Sequence, residues 1–387
     1  MANMHDYLRW RGDLAFGERP FNDVDNLILS AFVYLDFTDI VPTEGQGGCM
    51  ELREACRKLL EKANGDVTPF VRSLAKVDTS FVELIGASQR FGDARLSAYA
   101  DIVDKGRSLQ FAAMRIGMPQ SGTYVAFRGT DTTLAGWREN FMISFRVTAA
   151  QQEAVRYLGR TIESMDAADG DIRVGGHSKG GNLAQYAAVC CPRRLRERIT
   201  QVYSNDGPGM ALEVLARSPH VALGDRLRLI VPSFSVIGML FSHDNEKRII
   251  VASPASGIGQ HDITTWQVLR DGVEQVRELQ PDCVVLNEVI ASWANEIPLD
   301  DRERVTHEIF DALQAGGATT LEQIASSPDK LQRVLRALGS TDERTRGMVM
   351  EFMQRAASSG VDVVLSAAVK TVEDAGRRLR SGKPKSS

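Results

Sequence analysis

The sequence predicts an α/β fold, with a mostly parallel central sheet flanked by helices and a C-terminal helical appendage. Three observations predict it. Short apolar runs and helical patterns alternate from about residue 151 to 279, as crossover units with parallel strands require. Before them, 96–103, 109–116 and 123–128 are apolar or alternating runs separated by the turn-like DKGRS and GMPQSG, which reads as a β-meander. After residue 282 the strand signals stop and helical periodicity takes over.

In chain order, 22–37 (NDVDNLILSAFVYLDF) opens on capping residues and turns apolar at helical spacing, so a helix is expected. A loop at 43–48 and a helix at 52–63 follow. Beyond the meander the reading is helix 151–165, strand 172–175, helix 182–189, strand 199–203 and helix 210–217. Strands at 227–231 and 248–252 and a helix at 265–279 complete the alternation. Four amphipathic helices are expected at 283–296, 300–314, 321–338 and 342–380. The implied organisation is an N-terminal helical segment 1–95 packed on a core 96–281, an appendage 282–380 and a basic tail 381–387. The terminal Arg377, Arg378, Arg380, Lys383 and Lys385 read as a solvated tail, with peripheral contact to an anionic membrane as the minority reading.

Composition excludes several classes. A chain of 387 residues can bury a large core without metals or disulfides. The five cysteines, Cys49, Cys56, Cys190, Cys191 and Cys283, are odd in number and include no C-x-x-C pair, which argues against zinc ribbons and for a reducing, cytoplasmic setting. A net charge of −4 gives no global attraction to nucleic acid. No signal-peptide pattern opens the chain, and no apolar run is long enough to span a bilayer. P-loop, H-E-x-x-H and EF-hand patterns are absent, and Gly257-Ile258-Gly259 lacks the third glycine of a dinucleotide fingerprint. No metal or cofactor is expected. The run Arg193, Arg194, Arg196 and Arg198 reads as a helix end rather than a phosphate site, and Cys190 and Cys191 as packing residues.

The informative segment is 171–189, DIRVGGHSKGGNLAQYAAV, in which Gly176-His177-Ser178-Lys179-Gly180 fits G-x-S-x-G. The pentapeptide alone is weak, but a strand precedes it and a small-residue helix follows. That strand–turn–helix setting is what a nucleophile elbow requires, and it makes the expected architecture an α/β-hydrolase fold. The turn would hold Ser178 under backbone strain, and the flanking glycines spare it a clash with neighbouring backbone. The helix N-terminus behind Ser178 places partial positive charge near a developing anion.

A nucleophilic serine needs a base, and in this fold the order is serine, acid, histidine. Of six histidines, His5 precedes the serine, His177 lies within the elbow, His220 comes before strand 227–231 and His307 sits in the appendage. His243 and His261 remain. His261 is preferred, because it follows strand 248–252 across a Gly-rich loop, although a histidine there can also cap a helix. Asp206, in YSNDGPG after strand 199–203, is the preferred acid; Asp244 and Glu246 are alternatives, and Asp206 can equally cap a helix. Asp262, adjacent to His261, is badly placed to reach its ring. Oxyanion donors are expected from the backbone N–H of Lys179 and from Thr130, where strand 123–128 ends in a Gly turn. Trp137, Phe141 and Phe145 read as core or as lining of an acyl pocket.

AFRGT, then Trp137, then GHSKGGNLA resembles the fungal-type (class 3) lipases. LILSAFVYLDF, YSNDGPG, IVPSFSVIGMLFSHD and GQHDITTWQV extend the likeness to a bacterial lipase-like family of unknown function, over roughly residues 20–320. The resemblance implies Ser178 as nucleophile, Thr130 and Lys179 as oxyanion donors and His261 as base. It also implies an acid in the turn after strand 227–231, yet that turn reads VPSFSVIGM, with Ser233 and Ser235 and no carboxylate. Two functions are therefore expected to compete. One is a serine ester hydrolase acting on a small-molecule or lipid ester. The other is a catalytically silent binding or interaction module of the same fold.

Overall fold

In the computed structural model, residues 2–130 are described apart from 74 and 105–108, then 138, 142–143, 146–166, 169–210, 223–240 and 247–285, with scattered residues of 287–347. The chain falls into two compact units, 1–131 with 143–279 and 132–142 with 280–387.

The first unit opens on helices α1 (Met4–Arg11) and α2 (Asp23–Phe32), each started by an asparagine that caps the first turn while an aspartate three residues on returns the bond: Asn3 with Asp6, Asn22 with Asp25. The short β1 (Met50–Glu51), α3 (Leu52–Lys62), α4 (Thr79–Ala87) and α5 (Gln89–Gly92) follow. Then come the meander strands β2 (Arg95–Asp104), β3 (Leu109–Met118) and β4 (Gly122–Phe127), paired antiparallel. Helix α6 (Ala149–Glu163), capped by Thr148 and Gln151, leads to β5 (Ile172–His177), α7 (Lys179–Cys190), α8 (Arg193–Arg196) and β6 (Ile199–Asn205). Strands β7 (Leu227–Pro232) and β8 (Arg248–Val251) complete an eight-stranded sheet in the order β1 to β8, parallel from β4 onward. The expected fold class is the observed one, a mixed α/β sheet with flanking helices.

Helix α2 is buried on every side, from Val24 to Phe32, as a helix in the middle of a large core must be. It packs against β4, β5 and β6. Its polar residues are accounted for. Asn26 Nδ2 donates to Asn205 Oδ1 (2.8 Å), Tyr124 Oη donates to Asn26 Oδ1 (2.7 Å), and Asn205 Nδ2 reaches Ser30 Oγ (3.0 Å). Asp25 forms a buried ion pair with Arg90, through Nε at 2.7 Å and Nη2 at 2.6 Å.

One predicted element is wrong. The helix expected at 265–279 is instead an extended ribbon folded back on itself. Val268 bridges Val273, Leu269 N donates to Gly272 O, and Val251 at the sheet edge bridges Gln275. Trp266 and Val268 alternate into the core, and Asp271-Gly272 is a hairpin signal that the helical reading overlooked. Helix α2 also ends five residues before the expected residue 37. Helices α1 and α4 were not anticipated, although Asn3-x-x-Asp6 is a capping signal.

The basic run near α8 serves helix ends. Arg196 Nη1 donates to the Val189 carbonyl closing α7, and Arg198 donates to the Ile162 and Met165 carbonyls closing α6. Such contacts satisfy carbonyls that a helix terminus leaves open.

In the second unit, α9 (Leu299–Ala315) lies within the expected appendage. Arg138 forms an ion pair with Asp311 on this helix and approaches His307 Nδ1 at 3.4 Å. The expected helix 210–217 beyond Met210, most of 321–338 and 342–380, and the basic tail lie outside the described residues. Among the described residues no helix is long and apolar enough to cross a membrane.

Candidate active site

The site begins at the turn between β5 and α7. Ser178 there has φ +56° and ψ −128°, in a region that costs a non-glycine residue of order 1–3 kcal/mol. The surrounding backbone holds it there. Ser178 N donates to Asn205 O at 2.9 Å, and Asn205 Nδ2 donates to Gly176 O at 3.1 Å. The glycines on either side are required by space. A Cβ on Gly176 would lie 2.5 Å from Gly180 C, and one on Gly180 2.2 Å from Phe127 O. The elbow is therefore wedged against the end of β4, as the sequence pattern implied.

Two loops converge on Ser178. The first follows β6, where Asp206 also takes a left-handed backbone, φ +48°, with its N–H on Ile230 O at 2.8 Å. The second follows β8 and carries His261 at the end of a short 3-10 turn (Gly257–His261). Their side chains meet the serine in a line: His261 Nε2 lies 3.0 Å from Ser178 Oγ and Nδ1 lies 2.6 Å from Asp206 Oδ2. All three residues are buried. A proton on Nδ1 shared with the carboxylate leaves Nε2 to accept the serine hydroxyl, the arrangement from which a base removes a proton.

The turn after β7, which lacks the expected carboxylate, still serves this group. Ser235 Oγ donates to Asp206 Oδ1 at 2.5 Å and Gly238 N donates to the same oxygen at 3.0 Å. Ser233 Oγ and Phe234 N donate to Gln260 Oε1 at 3.0 and 2.9 Å, fixing the residue before His261. Trp266 Nε1 donates to the Gln260 carbonyl at 2.7 Å. Ser233 and Ser235 drew notice in the sequence only for not being acidic. That they support Asp206 and the loop carrying His261 is visible only in three dimensions.

Thr130 and Lys179, the two residues expected to serve an oxyanion, are both buried. Thr130 is buried at the end of the β4 segment Phe127-Arg128-Gly129-Thr130. That segment presses on the elbow, since a Cβ on Gly129 would lie 2.6 Å from His177 O. Arg128 anchors it through two bonds to Asp101, at 2.8 and 2.7 Å. The Lys179 side chain turns into the interior and donates to Gln110 O at 2.9 Å, so only its backbone N–H is oriented with the helix terminus behind Ser178.

The remaining sequence candidates are placed elsewhere. The Asp262 carboxylate accepts from Thr264 N and Oγ1, at 3.0 and 2.7 Å. His5 pairs with Asp78 at 3.0 Å and His307 with Glu303 at 3.7 Å. His220, His243, Asp244, Glu246, Trp137, Phe141 and Phe145 lie outside the described residues. Sequence reasoning assigned no role to Tyr34 or to the His177 ring. Tyr34 Oη lies 2.9 Å from His177 Nδ1, and His177 Nε2 lies 2.8 Å from the His261 carbonyl oxygen. Burial, with His261 close by, holds the His177 imidazole well below its ordinary pKa of 6.5. Among the described residues, no cluster of three or more His, Cys, Asp or Glu side chains is arranged to hold a metal ion.

Comparison with known proteins yields three findings. No curated protein matches the chain. A solved structure titled "Crystal structure of M37 lipase" aligns with 90% of this chain and 98% of its own, at 12% identity and a TM-score of 0.34. Residues 85–311 match the family described as Mbeg1-like. That stretch carries the β4 loop, the elbow, Asp206 and the His261 loop together and spans more than half of the 387 residues, so the chain belongs to the Mbeg1-like family.

Proposed function

We propose that the protein is a serine hydrolase that cleaves a carboxylic ester of lipid-like character through an acyl-enzyme on Ser178. The observation that carries the reading is the unbroken line from Ser178 Oγ through His261 to Asp206, at 3.0 and 2.6 Å. In this reading His261 Nε2 takes the serine proton as Oγ attacks the ester carbonyl. Asp206 holds the ring in the tautomer that leaves Nε2 open and stabilises the imidazolium. The carbonyl oxygen, now negative, is met by backbone N–H groups of Lys179, which opens α7, and Thr130; a helix N-terminus favours an anion through its dipole. Collapse of the intermediate returns the proton from Nε2 to the departing alcohol. Water then repeats the sequence on the acyl-enzyme and releases the acid.

The silent-module alternative drew on the missing carboxylate after β7. Against it stands Ser235, which supports Asp206 from that same turn. The test is covalent labelling by a fluorophosphonate probe. Wild-type protein is expected to label and Ser178→Ala to show no labelling. Folded wild-type protein that fails to label would overturn the reading.

A further inference from the structure

We propose that His177 is a positioning residue for His261, acting through the main chain rather than through the reacting atoms; the inference rests on the hydrolase reading above. The histidine of a serine hydrolase must hold its ring against the nucleophile, yet here it sits at the end of a short turn on a Gly-rich loop, where the backbone alone confers little rigidity. Three residues fasten that loop. Gln260 is held by Ser233 and Phe234 through its side chain and by Trp266 through its carbonyl. The next carbonyl, that of His261 itself, accepts from His177 Nε2 at 2.8 Å.

This bond joins the nucleophile loop to the base loop. His177 is the residue before Ser178, so a single peptide unit separates the serine from the group that grips His261. The two imidazoles lie face to tilted face, with centroids 4.7 Å apart and planes at 37°. Trp266 closes the third side, edge-on to His177 at 6.1 Å.

The proton arrangement is determined by the partners. A carbonyl only accepts, so Nε2 of His177 must carry hydrogen. Tyr34 Oη is 2.9 Å from Nδ1 and 3.3 Å from the His177 carbonyl oxygen. With Nε2 protonated and the ring neutral, Nδ1 is a lone pair that accepts the tyrosine hydroxyl. Burial of His177 at 1% exposure disfavours the doubly protonated form. The His261 carbonyl thus selects the tautomer in which His177 donates, and the Tyr34 hydroxyl can meet the bare Nδ1.

The test uses the full-length protein and three variants: His177→Phe, which keeps the ring volume and loses both bonds; His177→Gln, whose amide can still donate from near the Nε2 position; and Tyr34→Phe. Turnover of a chromogenic short-chain ester is measured per serine titrated by the fluorophosphonate probe, so unfolded molecules drop out. His177→Phe is expected to lower kcat about a hundredfold with KM little changed, the loss expected when a reacting group is misplaced by about 1 Å. His177→Gln should recover most of that loss, and Tyr34→Phe should show a smaller fall of the same kind. A kcat per titrated serine equal to wild type in His177→Phe would overturn the proposal. Should that variant not fold, a His177→Gln variant that loses about a hundredfold in kcat, or a Tyr34→Phe variant with kcat equal to wild type, would overturn it equally. Failure of the hydrolase reading looks different, since wild type would then neither label nor turn over.

Discussion

Gly238→Ala probes the arrangement around Asp206 while leaving the Ser178, His261 and Asp206 side chains themselves unaltered. A methyl carbon built on Gly238 would lie 2.3 Å from Asp206 Oδ1, 2.8 Å from Val231 Cγ1 and 3.0 Å from Ser235 Oγ. Ordinary contact begins near 3.4 Å, so the carboxylate must retreat by roughly 1 Å. It has little freedom to do so, because its own backbone is strained at φ +48° and tied to Ile230 O. Its other oxygen is 2.6 Å from His261 Nδ1, so a shift of that size disturbs the geometry of this bond. Misplacement of about 1 Å typically costs about a hundredfold in rate, equivalent to about 2.7 kcal/mol on the barrier. Overpacking of the same site costs about 1–3 kcal/mol of stability. The assay is kcat for ester turnover per titrated serine, alongside the thermal midpoint. A folded variant whose kcat equals that of wild type would refute the argument that Asp206, held after β6, governs His261.

Further outcomes follow from other contacts. Asp206→Asn should leave the fold intact and lower kcat by about 10⁴-fold, because the amide stabilises the wrong imidazole tautomer; ester turnover against pH checks it. Asp25→Asn leaves the Arg90 guanidinium buried beside a neutral partner and should cost about 3–5 kcal/mol in urea unfolding. His177 is held neutral below its ordinary pKa, so the unfolded chain takes up a proton first as pH falls. That contribution to stability is therefore full above 6.5 and declines as pH drops toward the folded-state value. Thermal midpoints measured from about pH 7.5 to about pH 5.5 should fall more steeply for wild type than for His177→Gln.

What could be read from the sequence was local, and what could not was long-range. The elbow announced itself because its glycines, serine and flanking strand and helix are contiguous, and chain order alone narrowed the histidines to two. The residues Ser178, His261 and Asp206 were all named, and the structure brings them together. The ribbon at 265–279 was misread because Trp266, Val268, Val273 and Val276 satisfy helical and alternating templates alike; Asp271-Gly272 was the deciding turn signal. The partners of His177 are 143 and 84 residues away in sequence, at Tyr34 and His261, and no pattern in one chain ties such positions together. The lack of a carboxylate in the turn after β7 is legible as a departure, but the role of Ser235 there depends on Asp206, brought in from another strand.

The polar cluster of Asn26, Ser30, Tyr124 and Asn205 has a practical bearing on how much of the chain must be kept together. The stretch shared with the Mbeg1-like family begins at residue 85, yet two members of that cluster precede it. A polypeptide trimmed to the shared stretch would retain every reacting group and lose the helix on which the elbow rests. Asn205, whose carbonyl holds the Ser178 amide, would face water or an unfilled gap on one side. The stretch that carries Ser178, Asp206 and His261 is therefore not an autonomous module, and its smallest foldable form should reach back at least to Asn22, where α2 is capped.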